Sequence, residues 1–227
     1  MNSLDTPQVS GVLERLFGEA EQADQPFIAS MLEAAEPGVD PVTVALAAES
    51  KDYKGFYHQA AGNFLCVSPE YGRFLYACTR AVAAERVVEF GTSFGVSAIY
   101  LACAVRDNGG GTVIGTELES SKAARAYENL RAAGVADVVD IWIGDALDAL
   151  CADVGGEVDL VHLDGALSLY RLVLEILEPR LRPGALIIAE NTTPDYLAYV
   201  RDPERPYLSL TLPFGDGTGN ELSLFTG

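Results

Sequence analysis

The sequence has few basic residues. Lys and Arg together number 15 against 33 Asp and Glu, which gives a formal net charge of −18 at pH 7. Such a charge repels the phosphate backbones that cationic grooves normally attract. We therefore exclude nucleic acid as a partner, while the acidity leaves the fold open.

Patterns for disulfides and for structural zinc are also lacking. The four cysteines form no C-x-x-C pair, and the two histidines stand at no zinc-like spacing from them. Neither a disulfide framework nor a zinc site is therefore indicated, and we expect reduced, mostly buried thiols. The residues concerned are Cys66, Cys78, Cys103, Cys151, His58 and His162.

The sequence has no run that predicts a membrane span. The longest stretch near the core without charge, Gly or Pro, Val96–Val105, is too short to cross a bilayer. Residues Met1–Asp5 lack the basic and then apolar pattern of a signal peptide. We expect a cytoplasmic protein without a membrane partner.

Apolar residues are plentiful, at 49% of 227 residues. This is enough for a full core and for one domain with added elements. Residues 1–60 predict an acidic N-terminal helical extension of three or four short helices, with breaks at Pro26, at Pro37-Gly38 and at Asp40-Pro41. Residues 61–227 form the main domain.

After residue 85, short apolar runs alternate with helical periods, which is typical of an α/β fold with a mostly parallel sheet. The predicted strands are Arg86–Phe90, Thr112–Glu117, Val139–Ile143, Val158–Asp164 and Ala185–Glu190, followed by a hairpin of Tyr207–Leu212 and Glu221–Phe225 around a turn at 215–219. The predicted helices are Pro69–Ala84, Val96–Arg106, Ser120–Ala133, Ala146–Ala152, Ser168–Arg182 and a short helix that starts at Thr193-Pro194 and runs through Val200.

A glycine-rich segment, Glu89–Gly95, falls at the first predicted strand-to-helix turn. Glycines let the backbone approach a ligand there, and the helix start offers free amides, so we expect a nucleotide-like ligand near Gly91 and Thr92. A nicotinamide oxidoreductase would require G-x-G-x-x-G, whereas position 93 is Ser and the spacing is G-x-x-x-G. The departure favours S-adenosylmethionine over a nicotinamide.

Two acidic residues end the next predicted strands. Glu117 could accept hydrogen bonds from both hydroxyls of an adenosine ribose, and Asp145 or its neighbours could contact the adenine. Acids at these places are also common helix caps, and for either residue alone that interpretation stays equally open.

From about Val67 to Gly227 the chain resembles the small-molecule O-methyltransferases of the catechol and caffeoyl-CoA type. The resemblance is carried by Val67–Gly72, by the cofactor motif Glu89–Ser97 and by Thr193–Arg201. It implies a Rossmann-like class I methyltransferase fold, with a mostly parallel seven-stranded sheet and helices on both faces. It also implies cofactor contacts by Val67 through its backbone, by Glu89 and Ser97 at the amino-acid end, by Glu117 at the ribose and by Ala146 near the adenine.

Asp164 and Glu190-Asn191 end the fourth and fifth predicted strands, where ligands of open α/β sheets bind. Their oxygen atoms suit Mg²⁺ or another divalent cation, and the resemblance gives all three as metal ligands. We also count Asp164 as a cofactor contact, and Asp164 and Glu190 as catalytic candidates. Two positions depart from the family: Glu190 stands for an Asp, and Leu167 stands for the lysine usually taken as the base.

The missing lysine leaves the base open. Asp164, Glu190 and His58 are candidates, while His162 within an apolar strand is more typical of a core residue. Five aromatic side chains could line a pocket for an aromatic acceptor, although ordinary packing explains any one of them as well. They are Phe56, Tyr57, Phe64, Tyr196 and Tyr199.

The sequence thus predicts an enzyme that methylates a hydroxyl of a small, aromatic acceptor, with a homodimer contact possible through the N-terminal helices. The alternatives are a metal-independent methyltransferase acting on a nitrogen or carboxylate, a nonenzymatic cofactor-binding protein and, as the weakest, a nicotinamide oxidoreductase.

Overall fold

A computed structural model describes residues 2–33, 38–214 and 219–227. Its centre is a seven-stranded sheet in the order β3-β2-β1-β4-β5-β7-β6. The first five strands run parallel, and β7 is antiparallel to both β5 and β6. The strands are β1 Arg86–Phe90, β2 Thr112–Glu117, β3 Val139–Ile143, β4 Val158–Leu163, β5 Leu181–Ala189, β6 Tyr207–Leu212 and β7 Asn220–Phe225.

Helices cover both faces of this sheet, as the resemblance implies. The α-helices are α1 Pro7–Glu33, α2 Pro41–Gln59, α3 Pro69–Ala81, α4 Val96–Asp107, α5 Ser120–Ala133, α6 Ala146–Ala149, α7 Tyr170–Leu177 and α8 Pro194–Val200. Several begin where the sequence supplies a cap followed by Pro. For example, the Ser68 side chain accepts a hydrogen bond from the Tyr71 amide, with Pro69 in the first turn.

The N-terminal extension corrects the prediction of several short helices. Pro26 lies inside α1 and does not end it. The proline removes one helical hydrogen bond, but the helix continues past it, and the next residue, Phe27, packs on α2 with its ring centroid 6.2 Å from that of Phe56. The Asp40 side chain caps α2 as its sequence position suggests, whereas Pro37 lies outside the described residues. A kink at Asp52 (φ −160°, ψ 84°) divides α2.

Strand alternation divides the core into two clusters. Val87 on β1 belongs to the cluster under α1, α3, α4 and α5, while Val88 belongs to the one under α6, α7 and α8. Of the cysteines, Cys103 is fully buried and Cys151 is exposed, so the prediction of mostly buried thiols is wrong for Cys151.

Most boundaries of the predicted elements agree with the structure. The predicted helix from Ser168 to Arg182 is shorter, because 3-10 turns flank α7 and β5 already begins at Leu181. The hairpin of β6 and β7 forms, although 215–218 of its predicted turn lie outside the described residues. No helix in the described ranges combines the length and the apolarity needed to cross a membrane.

Candidate active site

The glycine-rich turn after β1 is held by contacts that only glycine permits. Gly91 has φ +95°, and a Cβ at this position would collide with the carbonyl oxygen of Asp164. The Gly91 and Thr92 amides donate to the Thr116 carbonyl at 3.2 and 2.9 Å. Gly95, at φ +86°, starts α4 without a side-chain cap. These contacts fix the turn at the carboxyl end of the sheet, where a ligand can approach its backbone closely.

Polar side chains of this turn face the same opening. Thr92 and Ser97 both line a cavity of about 280 Å³. The buried Thr92 hydroxyl has no hydrogen-bond partner among the described residues. A buried hydroxyl without a partner is costly, so this atom fits a polar ligand group in the cavity.

Glu117, predicted to bind a ribose, lies in the same cavity at the end of β2. One carboxylate oxygen accepts from the Ser93 amide at 2.7 Å and the other from the Glu119 amide at 2.9 Å. Burial raises the pKa of Glu117, against the effect of nearby Lys122. Each oxygen keeps a further lone pair, so both can accept a ligand hydroxyl while the two amides fix their position.

Asp145 caps a helix and also lies at the cavity wall. Its side chain caps α6 by accepting from the Leu147 amide, and together with Ala146 it lines the cavity. The other oxygen accepts from the Tyr53 hydroxyl and the Lys54 ammonium, each at 2.7 Å. Burial alone would raise the pKa of Asp145, but the hydrogen bonds from Lys54 and Tyr53 hold it below the ordinary value. Helix α2 is thus tied to this end of the cavity.

Two predicted cofactor contacts do not reach the cavity wall. Glu89 is fully buried, and its carboxylate lies 3.6 Å from the equally buried His162 imidazole. Val67 is also buried, and the preceding residues Leu65 and Cys66 line the cavity instead. His162 is a core residue, as its apolar strand indicated.

Asp164 and Glu190 meet as their strand positions predict. Leu163 pairs with Ala189 across β4 and β5, so the next residues leave the sheet side by side. Their side chains are hydrogen-bonded to each other; burial first, and then the charge of Glu190, raise the pKa of Asp164. Asn191, which also lines the cavity, has its amide held by the Asn220 side-chain oxygen at 2.9 Å.

These three residues present two carboxyl groups and one amide to the cavity. Such an oxygen-only set fits the ligand chemistry of a hard divalent cation. Within the described ranges, no cluster of three His, Cys, Asp or Glu residues could hold a metal, so the third donor in this set is the amide of Asn191.

The far side of the cavity is formed by the N-terminal helices. Tyr57, Phe56 and Phe64 line it as predicted, whereas Tyr196 and Tyr199 are packed in the core beside α7 and do not. Contributors from α1 and α2 that the sequence reasoning missed are Phe27, Ile28, Met31, Pro41, Val42, Ala45, Glu49 and Tyr53. Part of their signal was a helical stripe, since Val42, Ala45 and Glu49, which all precede the kink at Asp52, recur at intervals that place them on one face.

Neither His58 nor the position of the absent lysine supplies a base at the cavity wall. The His58 side chain is 80% exposed and lies 3.4 Å from Glu119, away from the cavity wall. His58 is therefore wrong as a base over the pocket. Leu167, where the family has lysine, is buried and lines the cavity with Leu169.

Comparison with known proteins agrees with this geometry. Residues 88–192 match a family model described as a methyltransferase domain. The catechol O-methyltransferase of Mycobacterium tuberculosis (strain ATCC 25618 / H37Rv) is 33% identical over 175 residues, which cover 77% of this chain and 76% of that protein.

Solved structures show the same relationship. The O-methyltransferase TomG from Streptomyces achromogenes, in complex with SAM, superposes with a TM-score of 0.62 at 27% identity, covering 81% of this chain and 90% of TomG. Cofactor-bound Rv0187 from MTB superposes with a TM-score of 0.65 at 28% identity, covering 87% and 95% of the two chains. The chain belongs to the class I S-adenosylmethionine-dependent O-methyltransferases of the catechol and caffeoyl-CoA type.

Proposed function

We propose that this enzyme transfers the methyl group of S-adenosylmethionine to a hydroxyl of a small aromatic molecule. The observation that carries the proposal is the continuity of one cavity, which runs from the turn at Gly91 and Glu117 to the pair Asp164 and Glu190. The end at Gly91 and Glu117, the cofactor end, is suited to an adenosyl cofactor. The end at Asp164 and Glu190, the acceptor end, presents carboxyl oxygens next to aromatic side chains of α2. A cofactor and an acceptor bound there would be held in contact and shielded from water.

The cofactor end has a group for each part of S-adenosylmethionine. Glu117 would accept from the ribose hydroxyls, and Asp145 with Ala146 would flank the adenine. Thr92 and Ser97 would bind the amino-acid end through their hydroxyls, next to the exposed backbone of Gly91. When bound, the cofactor supplies an electrophilic methyl group on a sulfonium.

The acceptor end favours a neutral aromatic hydroxyl over an anionic acceptor. Phe56 and Tyr57 supply aromatic faces, and Leu167 and Leu169 add apolar surface. A carboxylate acceptor would meet the carboxyl groups of Glu49, Asp164 and Glu190, which would repel it. The chemistry of the wall therefore supports a phenolic hydroxyl over the carboxylate alternative.

We also propose that Asp164, Glu190 and Asn191 hold a divalent cation. Their donor set fits one, as described above, and a bound cation there would make a coordinated hydroxyl more acidic. Calorimetric titration of the enzyme with Mg²⁺, in parallel with Asp164→Asn, should show binding only by the unsubstituted chain. Equal heats from both proteins, or full turnover in EDTA, would remove the metal from the proposal.

The function is tested by incubating the enzyme and S-adenosylmethionine with catechol, aniline or benzoate in separate reactions. We expect S-adenosylhomocysteine and a methyl ether from catechol alone. Methylation of aniline or benzoate in preference to catechol would contradict the hydroxyl assignment. Failure to bind S-adenosylhomocysteine in calorimetry would contradict the cofactor assignment.

A further inference from the structure

Glu49 is a buried carboxyl group that neither the family resemblance nor the cofactor site accounts for. It lies on α2, is only 2% exposed and lines the cavity. Charged residues are rarely buried to this extent unless a partner or a function compensates for the lost hydration. Its helical neighbours along the same stripe, Val42 and Ala45, are apolar, so Glu49 is the polar interruption of an apolar face.

The partners of Glu49 direct it towards the acceptor end. One oxygen accepts from the Tyr57 hydroxyl at 2.7 Å, and the other accepts from the Ser168 amide at 3.1 Å. The Tyr57 hydroxyl also lies 3.3 Å from the carbonyl oxygen of Gly165, the residue after Asp164. The pair formed by Glu49 and Tyr57 thus adjoins the loop between Asp164 and Leu167.

Other groups that could take a proton at this end are engaged or missing. Leu167 has no basic group, and Asp164 and Glu190 are hydrogen-bonded to each other. Among the described residues that line the cavity, Lys122 is the sole Lys or Arg, and it lies beside Glu117 and the Phe94 ring at the cofactor end. The hydroxyl proton released in methyl transfer therefore needs another acceptor.

We propose that Glu49 and Tyr57 together accept the proton of the acceptor hydroxyl, in place of the absent lysine. This inference rests on the proposed function. As the acceptor oxygen bonds to the methyl carbon, the carbon–sulfur bond breaks and its electron pair stays on sulfur. The hydroxyl proton passes to the Tyr57 oxygen while the Tyr57 proton passes to Glu49. Glu49 returns its proton to water after product release, so charge and atoms balance.

The surroundings of Glu49 support this assignment. Burial raises the pKa of Glu49, partly offset by the hydrogen bond from Tyr57, which makes its carboxylate a better proton acceptor than an exposed one. The titratable groups that act on the Glu49–Tyr57 pair are Tyr170 on α7, Asp164 after β4 and Glu117 at the end of β2. From α1, apolar residues meet the same cavity: Phe27, Ile28 and Met31.

A purely structural role for Glu49 would be to hold α2 in place through its hydrogen bond with the Ser168 amide. Glu49→Gln separates the two roles, because glutamine can still accept from Ser168 but is not a base. For the proposed role we expect kcat with catechol to fall about 100-fold or more, with the affinity for S-adenosylhomocysteine unchanged. The rise of kcat with pH that reflects deprotonation of the pair should disappear, and Glu49→Asp should restore part of the activity.

The matched control is Glu14→Gln, which removes an exposed carboxylate on α1 and should leave every measurement unchanged. Tyr57→Phe provides a second test should Glu49→Gln fail to fold, and it should lower kcat in the same direction. Wild-type kcat and pH profile in a folded Glu49→Gln or Tyr57→Phe would overturn the inference and leave the proposed function standing. A wild-type enzyme that binds S-adenosylhomocysteine but methylates no hydroxyl would overturn both.

Discussion

The two ends of the cavity differ in the parts of the chain that form them. The cofactor end is made mostly of backbone and of carboxylates fixed by amides at the ends of β1 and β2, as with Glu117 and the Ser93 amide. The acceptor end is made of side chains, many of them from α1 and α2, a hundred or so residues earlier in the chain than Asp164 and Glu190. One end is rigid and local in sequence, and the other is assembled from distant segments.

This difference predicts that the two ends tolerate substitution differently. A backbone site tolerates little change, because its geometry depends on φ values that few residues adopt. A wall of helix side chains can change residue by residue without disturbing the sheet. We therefore expect substitutions at the first end to abolish cofactor binding and substitutions at the second to alter acceptor turnover.

The largest effect should come from Gly91→Ala. The new methyl group would meet the Asp164 carbonyl, and φ +95° adds backbone strain of about 1–3 kcal/mol. We expect loss of detectable S-adenosylhomocysteine binding in calorimetry. Gly109→Ala is the matched control, since Gly109 also has a positive φ, of +113°, but has open space around its Cβ and lies away from the cavity wall. Equal effects of the two substitutions would show that the close approach to Asp164 is unimportant.

The next effect concerns Glu117 and Asp164, one from each end. Glu117→Ala removes two charge-assisted ribose contacts and should weaken cofactor affinity about 10- to 100-fold. Asp164→Ala should lower kcat more than it lowers that affinity. Calorimetry measures the cofactor affinity of both variants, and initial rates measure their kcat. A loss of kcat without a loss of affinity in Glu117→Ala, or the opposite in Asp164→Ala, would contradict the assignment of the two ends.

A smaller effect should come from Tyr53, which ties α2 to Asp145. Tyr53→Phe removes one hydrogen bond, worth about 1 kcal/mol, and should weaken cofactor affinity by about fivefold. Lys54→Gln should do less, because the Lys54 side chain is 55% exposed and its ion pair is screened by water. If calorimetric titration shows a larger loss of cofactor affinity for Lys54→Gln than for Tyr53→Phe, this ranking of the two contacts is contradicted.

The smallest effect is a pH dependence of stability. The hydrogen bonds to Asp145 lower its pKa, so they stabilise the fold above the unfolded value of about 3.9 and are lost as pH falls through the folded pKa. The difference in free energy of unfolding between wild type and Tyr53→Phe should therefore shrink below about pH 4.

Tyr127→Phe is the control for this measurement. The Tyr127 hydroxyl accepts from the Ile141 amide and has no carboxylate partner among the described residues, so its contribution should not vary with pH in this way. Urea titrations at several pH values measure both differences. A Tyr53 contribution that is constant with pH would contradict the role of the Asp145 charge.

The sequence alone was sufficient for the sheet and for placing Gly91, Thr92 and Glu117 at one cavity. Strand periodicity and the Gly91 turn are local signals, and parallel strands bring their carboxyl ends to one edge, which is why Asp164 and Glu190 could be placed together. The side chain of Glu89 lies in the core beside His162, and its contact with the cofactor stays a prediction.

The acceptor end could not be derived in the same way. Its residues on α1 and α2 reach the cavity only through tertiary packing, which also carries α1 straight through Pro26. Glu49 gave a weak signal as an acid on an apolar stripe, but nothing local indicated its contact with Ser168. The homodimer through the N-terminal helices stays a prediction.

The most direct test of the account is a crystal structure with S-adenosylhomocysteine and catechol bound together. We expect the ribose on Glu117, and a catechol hydroxyl within hydrogen-bonding distance of Tyr57 beside the Asp164–Glu190 pair. A catechol that makes no contact with α2, or an adenosine that lies away from the Gly91 turn, would contradict the proposed function.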